Sequence, residues 1–201
     1  MTNEGRRRRA GGERREEVLD IVVEVLARRG YQQTRFKDVS EASSVAVSTL
    51  QGYFGSREDM LIEALHRATE REVATMERES RDIDDPWQRL VWLIDRGIST
   101  PVPVWRMLME FWTAAAHDAE LRRNSLDLQA RYRQPLTAAI EHGRDKGDFT
   151  LRHEPAAVVD VVVAALDGLL YPRVLEQPRP DSDGFRHVLL DQLASTLGVR
   201  S

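Results

Sequence analysis

The chain has no cysteine, which removes disulfides, thiolate chemistry and zinc sites of the cysteine type. A reducing compartment suits such a sequence, and we read it as cytoplasmic. No apolar run approaches the roughly 20 residues that cross a bilayer. Met1 to Arg15 also lacks the apolar centre of a signal peptide, so no membrane partner is expected. Lysine is nearly missing: Lys37 and Lys146 are the only two among 29 basic residues, and arginine carries the positive charge. The five histidines, His66, His117, His142, His153 and His187, show no metal-ligand spacing. Neither a glycine-rich phosphate loop nor a Gly-x-Ser-x-Gly elbow occurs. No catalytic centre, metal or cofactor is therefore expected. Sustained period-two alternation is also missing, which leaves helical periodicity to organise the chain.

What is present is ordinary for a globular protein: 201 residues, 41% hydrophobic and 31% charged. The net charge of −4 is unevenly placed. Residues 1–58 carry eleven Lys/Arg against nine Asp/Glu, and the remainder eighteen against twenty-four. The first fifteen residues hold six arginines and two glutamates. A basic end on an acidic body is expected when a small part meets phosphate and the rest does something else. A solvated basic tail has the same composition, so charge alone leaves both readings open.

The periodicity predicts an all-α chain of nine helices. The first covers Glu13 to Arg29, with Val18, Ile21, Val22, Val25 and Leu26 on one face and Gly30 as its stop. Two short helices follow, Phe36 to Ser43 with Thr34 placed to cap it, and Val47 to Tyr53. Ser56 with Glu58 and Asp59 opens a long helix to about Arg81. Further helices are read over Trp87 to Ser99, Val104 to His117 and Ala119 to Lys146, the last bent at Pro135. The eighth starts at Pro155 and is apolar on two faces as far as Leu170. A loop with Pro172, Pro178 and Pro180 then leads to a final helix holding Phe185 to Leu197.

Two short helices joined by a tight turn form a helix-turn-helix. The residues sharpen that reading: Thr34-Arg-Phe-Lys-Asp-Val-Ser40, then Ser43-Ser-Val-Ala-Val-Ser-Thr-Leu-Gln-Gly-Tyr-Phe-Gly-Ser-Arg-Glu58. With Gly30 and Tyr31 closing the first helix, residues 14–62 resemble the DNA-binding signature of the TetR family of bacterial transcriptional regulators. Three positions depart from it. Ser44 stands at the turn glycine, Gln51 replaces an aromatic, and Arg35 replaces a small hydroxyl residue. The resemblance implies a flexible basic arm over 1–13 and a helix-turn-helix domain over 14–58. It further implies a helical ligand-binding and dimerisation domain over 59–201, with the last two helices joining a homodimer. Its function would be repression at a palindromic operator on double-stranded DNA, relieved by a small-molecule effector.

Physical reasoning assigns the residues. Phe36, Val39, Val45, Leu50 and Phe54 form the core of the DNA-binding domain. Val47, Ser48, Thr49, Gln51, Gly52 and Tyr53 then face a major groove, with Val47 suited to a thymine methyl and Gln51 to adenine. Thr34, Arg35, Lys37, Thr49, Tyr53 and Arg57 are candidate phosphate contacts. For Arg6 to Arg9 two readings stand, a minor-groove or phosphate arm and a solubilising tail. Trp92, Trp105, Met109, Trp112 and Tyr132, with Glu110, His117 and Asp167 as polar handles, are candidate ligand residues. The same residues at helical spacing would also fill a core. If aromatics and an acid converge, a cationic ligand suits them. A helical ligand-binding or protein-interaction dimer that no longer binds DNA remains the alternative, kept open by Ser44 and Gln51.

Overall fold

The computed structural model describes residues 3–178 and 181–199, with side-chain detail from residue 12 onward. Among the described residues the chain is all-α, with nine helices: α1 (Asn3–Arg29), α2 (Phe36–Ser43), α3 (Val47–Phe54), α4 (Arg57–Ser80), α5 (Pro86–Ile98), α6 (Val102–Ala115), α7 (Ala119–Lys146), α8 (Pro155–Val174) and α9 (Ser182–Leu197). The side chains of Arg6 to Arg9 lie outside the described residues, as does Pro180 of the proline-rich loop.

Local chemistry accounts for the starts of three helices. Ser56 Oγ accepts the N–H of Asp59 at 3.0 Å, and Asp59 Oδ2 accepts the N–H of Ser56 at 3.3 Å, a reciprocal cap that opens α4. Asp85 caps α5 by accepting the Gln88 N–H at 2.8 Å, with Pro86 at the first helical position. Asp181 does the same for α9 through Gly184 N, at 3.0 Å.

Four local expectations are corrected. α1 begins at Asn3 rather than Glu13, so residues 3–13, expected as a flexible arm, are helical. Thr34 does not cap α2; its hydroxyl donates to Gly30 O at 2.7 Å, and Asp38 Oδ2 instead accepts the Arg35 N–H at 2.8 Å. α6 starts at Val102, because Pro103 falls in a first turn where a missing N–H costs nothing. α8 runs through Pro172 to Val174, where Arg173 donates to Ile98 O and, at 2.9 Å, to Ser182 Oγ.

That extension makes α8 the one described helix long and apolar enough, by length and composition, to cross a membrane, more than the apolar runs suggested. Eight of its residues, Val159, Val162 and Leu166 among them, are buried. It is a core helix.

The chain divides into two compact units, residues 1–70 with 106–128, and residues 71–105 with 129–201. The first thus extends past the 14–58 segment to Glu70 and adds the later part of α6 and the start of α7. Its core contains Val18, Val22, Leu26, Leu50, Leu61 and Phe111. In the second, Leu90, Ile94, Leu136, Ile140, Val162 and Leu197 form the centre, and Leu166 packs where a Cβ on Gly97 would meet it at 2.8 Å.

Ser44, which closes α2, has φ 56° and ψ 28°, the left-handed conformation that its place in the turn demands. An L-residue there costs about 1–2 kcal/mol, of which glycine's greater freedom in the unfolded chain takes back roughly 0.5–1. Ser44→Gly should therefore raise stability by about 0.5–1 kcal/mol, read as a higher urea midpoint at unchanged slope. An unchanged or lower midpoint would mean that the turn bears no strain.

Candidate nucleic-acid interface

α3 is held by two residues on one side. Leu50 and Phe54, four apart, are buried with Val39 of α2 and Val45 of the turn. That spacing turns Ser48, Thr49, Gln51 and Gly52 outward and leaves Val47 and Tyr53 half-buried at the edge. The six residues expected on the reading face thus lie on the outer side of one helix. Arg35 and Lys37 are exposed at the start of α2, and Arg35 Nη1 also donates to Gln32 O at 2.5 Å.

Two of the candidate phosphate contacts serve the head itself. Thr34 is fully buried and bonded to Gly30 O, which takes its side chain off the surface. Arg57 donates to Thr34 O at 2.7 Å and to Tyr31 O, and lies 5.3 Å over the Tyr31 ring. It ties the start of α4 to the turn after α1. Of the candidate phosphate contacts, Arg35, Lys37 and Thr49 are exposed and Tyr53 is half-buried.

Several positioning residues gave no sequence signal. Arg15 donates to Tyr53 O at 3.2 Å, holds Glu63 at 2.7 and 2.5 Å, and lies 4.9 Å over the Phe54 ring, joining α1, α3 and α4. Arg14 donates to Ser43 O at 3.2 Å, Arg29 pairs with the buried Asp38 at 3.2 Å, and Arg67 pairs with Asp20 and Glu16. The Arg14 and Arg15 pairings join residues 29 to 48 positions apart, beyond any local pattern.

Comparison with known proteins agrees with this geometry. Residues 18–64 match the family model for bacterial regulatory proteins of the tetR family, and residues 88–198, more than half the chain, match that for the BetI-type transcriptional repressor, C-terminal. The chain belongs to the TetR family. This TetR-family chain is 34% identical over 84 residues to the HTH-type transcriptional repressor KstR of Mycolicibacterium smegmatis, 42% of this chain and 41% of that protein. The chain thus spans about two fifths of the length of the first curated relatives that it matches. It is 20% identical over 186 residues to the fatty acid metabolism regulator protein of Bacillus subtilis, 89% of this chain and 93% of that one. Among solved structures, a transcriptional regulator of Saccharomonospora viridis in complex with choline is 25% identical with a TM-score of 0.78, over 94% of this chain and 100% of that one.

The candidate ligand residues do not form one group within either unit. Met109, Glu110 and Trp112 belong to the first unit, and Trp92, Trp105, Tyr132 and Asp167 to the second. Glu110 accepts the Gln32 N–H at 2.8 Å, and His117 is exposed. Trp105 is 6% exposed, and its indole N–H has no partner among the described residues. An open cleft of about 420 Å³, lined by Asp84, Asp85, Pro86, Trp87, Lys146, Asp148, Phe149 and Val199, contains none of the candidates.

The second unit does gather charge around Trp92. The Arg96 guanidinium lies 5.5 Å over its ring, donates to Glu72 at 2.5 and 3.0 Å, and reaches Glu79 at 3.4 Å. Burial pushes the Tyr132 hydroxyl up to about 12, with Glu72 and Asp167 adding to the rise and Arg96 opposing it. Asp167 keeps part of its surface exposed, yet the desolvation it does undergo raises its carboxyl, and Arg133 works against that.

Tyr132 sets an alkaline limit. Between about pH 10 and 12 the unfolded chain has released a proton that the folded chain keeps, so rising pH favours unfolding. The contribution is whole below pH 10 and falls by about 1.4 kcal/mol per pH unit until the folded group ionises too. Tyr132→Phe should lose stability less steeply than wild type between pH 9.5 and 11.5 in urea unfolding. Parallel declines would show that the hydroxyl ionises freely in the folded chain.

Proposed function

We propose that this protein is a cytoplasmic homodimeric repressor that binds a palindromic operator through α3 and is released by a small molecule. The observation that carries the reading is the outward, uncharged face of α3, Val47 to Tyr53, with the exposed cations Arg35 and Lys37 at the start of the preceding helix. Small and hydroxyl side chains let a helix approach base edges closely. The alternative of a dimer without DNA binding loses support, since Ser44 adopts the left-handed turn despite its side chain and Gln51 is exposed.

The dimer reading rests on α8 and α9. Val161 is 67% exposed, Tyr171 58% and Val188 59%, an apolar surplus that suits a second copy of the same face. Release works by population shift: a molecule that fits better when the two heads are wrongly spaced favours that form, and bound DNA disfavours the molecule equally. The effector class that fits the second unit is a cation. Trp92 already holds a positive group against two carboxylates, and a small cation such as the choline in the S. viridis regulator would compete with Arg96 for that place.

Selection of bound duplexes from a random pool tests the repressor reading: it should return palindromes with half-sites about one helical turn apart, or a multiple of it. Tyr53→Ala should weaken binding to every duplex, whereas Gln51→Ala should relax one position per half-site, by about 1–3 kcal/mol of discrimination. Uniform loss for Gln51→Ala would show that it reads no base. No enrichment in wild type would return the alternative. Choline titrated onto the operator complex should release it; a complex intact at saturating choline removes the cation reading and leaves the repressor.

A further inference from the structure

Glu110 was a candidate ligand handle, and the first unit gives it other work. Its carboxylate reaches the turn between α1 and α2, where it accepts the Gln32 N–H at 2.8 Å. A Cβ at residue 30 would stand 2.7 Å from Glu110 Oε2, so this approach needs the glycine that is there, at φ 82°. The next residue of α6, the fully buried Phe111, meets the Tyr31 ring edge-on at 5.6 Å. Successive residues of α6 thus grip the turn from one element, while Arg57 of α4 grips Tyr31 O and Thr34 O from another. The turn leads directly into α2 and the helix-turn-helix.

The placement runs against local electrostatics. The end of α1 is the negative end of a helix dipole, where a carboxylate is disfavoured. What offsets this is a backbone N–H beyond the helix end and the space that Gly30 leaves. A contact made in spite of the local field is one that a modest shift of α6 can break. α6 also begins in the second unit, with Trp105, whose indole N–H has no partner among the described residues, and passes into the first at Arg106.

We propose that Glu110 is a positioning residue through which α6 sets the helix-turn-helix: with its carboxylate on Gln32 the head is held in its DNA-binding form, and withdrawal of α6 loosens the turn. This rests on the repressor reading above. Removing a negative charge from a DNA-binding head should, by Coulomb's law alone, tighten binding to phosphate. The latch requires the opposite wherever the acceptor oxygen is lost together with the charge.

Three variants of the full-length protein separate reach from charge, on the operator that wild type selects. Glu110→Gln keeps the acceptor oxygen in place without the charge; Glu110→Asp keeps the charge and withdraws it by a methylene; Glu110→Ala removes both. The expected order of operator affinity is wild type close to Gln, with Asp and Ala lower by about 10-fold. Amide exchange at Gln32 should quicken in the Asp and Ala variants, and the salt dependence of binding should match wild type, because no phosphate contact is lost. If Ala fails to fold, the Asp and Gln pair still decides. Asp or Ala variants that bind as tightly as wild type, with Gln32 exchange quickened, overturn the latch. A wild type that selects no duplex overturns the repressor reading and this proposal with it.

Discussion

Everything outward about α3 follows from what it hides. A helix of eight residues that buries positions 50 and 54 has committed one stripe, and at 3.6 residues per turn positions 48, 49, 51 and 52 have nowhere to go but outside. Full burial of a leucine such as Leu50 is worth about 1.5–3 kcal/mol, enough to fix the rotation of so short a helix about its axis. Were α3 rolled by one residue, Leu50 would meet water and Gln51 would enter the core without a hydrogen-bond partner. Selectivity for one face is therefore a packing result before it is a recognition result.

The same packing changes what the basic composition of the head means. Arg14, Arg15 and Arg57 donate to carbonyls of Ser43, Tyr53, Tyr31 and Thr34, and Arg15, Arg29 and Arg67 also neutralise Glu63, Asp38, Asp20 and Glu16. Arginine suits this task, since its planar fork serves a carbonyl and a carboxylate together where lysine offers a point charge. Arg15, Arg57 and Arg67 are thus partly withdrawn into the head, while Arg14, Arg28, Arg29, Arg35 and Lys37 stay exposed. Charge along the chain left both readings of the basic end open, and it carried no sign of which arginines brace the head from within.

What was legible in the sequence was what repeats locally. Leu50 and Phe54 declare their face by spacing, Gly30 declares a helix end, Ser56 and Asp59 form a cap within four residues, and even the strained Ser44 was visible as an L-residue at a glycine position. Contacts that cross between helices were not legible. Thr34 resembles a cap until Gly30 O comes within 2.7 Å, and Glu110 resembles a free carboxylate until the turn at Gln32 is brought to it over 78 residues of chain. Pro172 misled for a different reason. A proline near the end of a helix breaks few bonds, and the Arg173 contacts with Ile98 O and Ser182 Oγ hold the turn that it weakens.

Coupling between an effector and DNA needs an element that both influence, and the division of the chain restricts the choice. α4, α6 and α7 are the helices whose residues fall in both units, each continuous across the boundary. α4 enters the head through Arg57 and its bonds to Tyr31 and Thr34, and α6 through Glu110 and Phe111 on the same turn. α7 contributes Asn124, whose side chain meets His66 of α4 at 2.9 Å. The turn after α1 is therefore held by two of these three helices. A displacement of either one changes the support of α2 before it changes any residue of α3, so a signal can reach the reading face without unpacking Leu50.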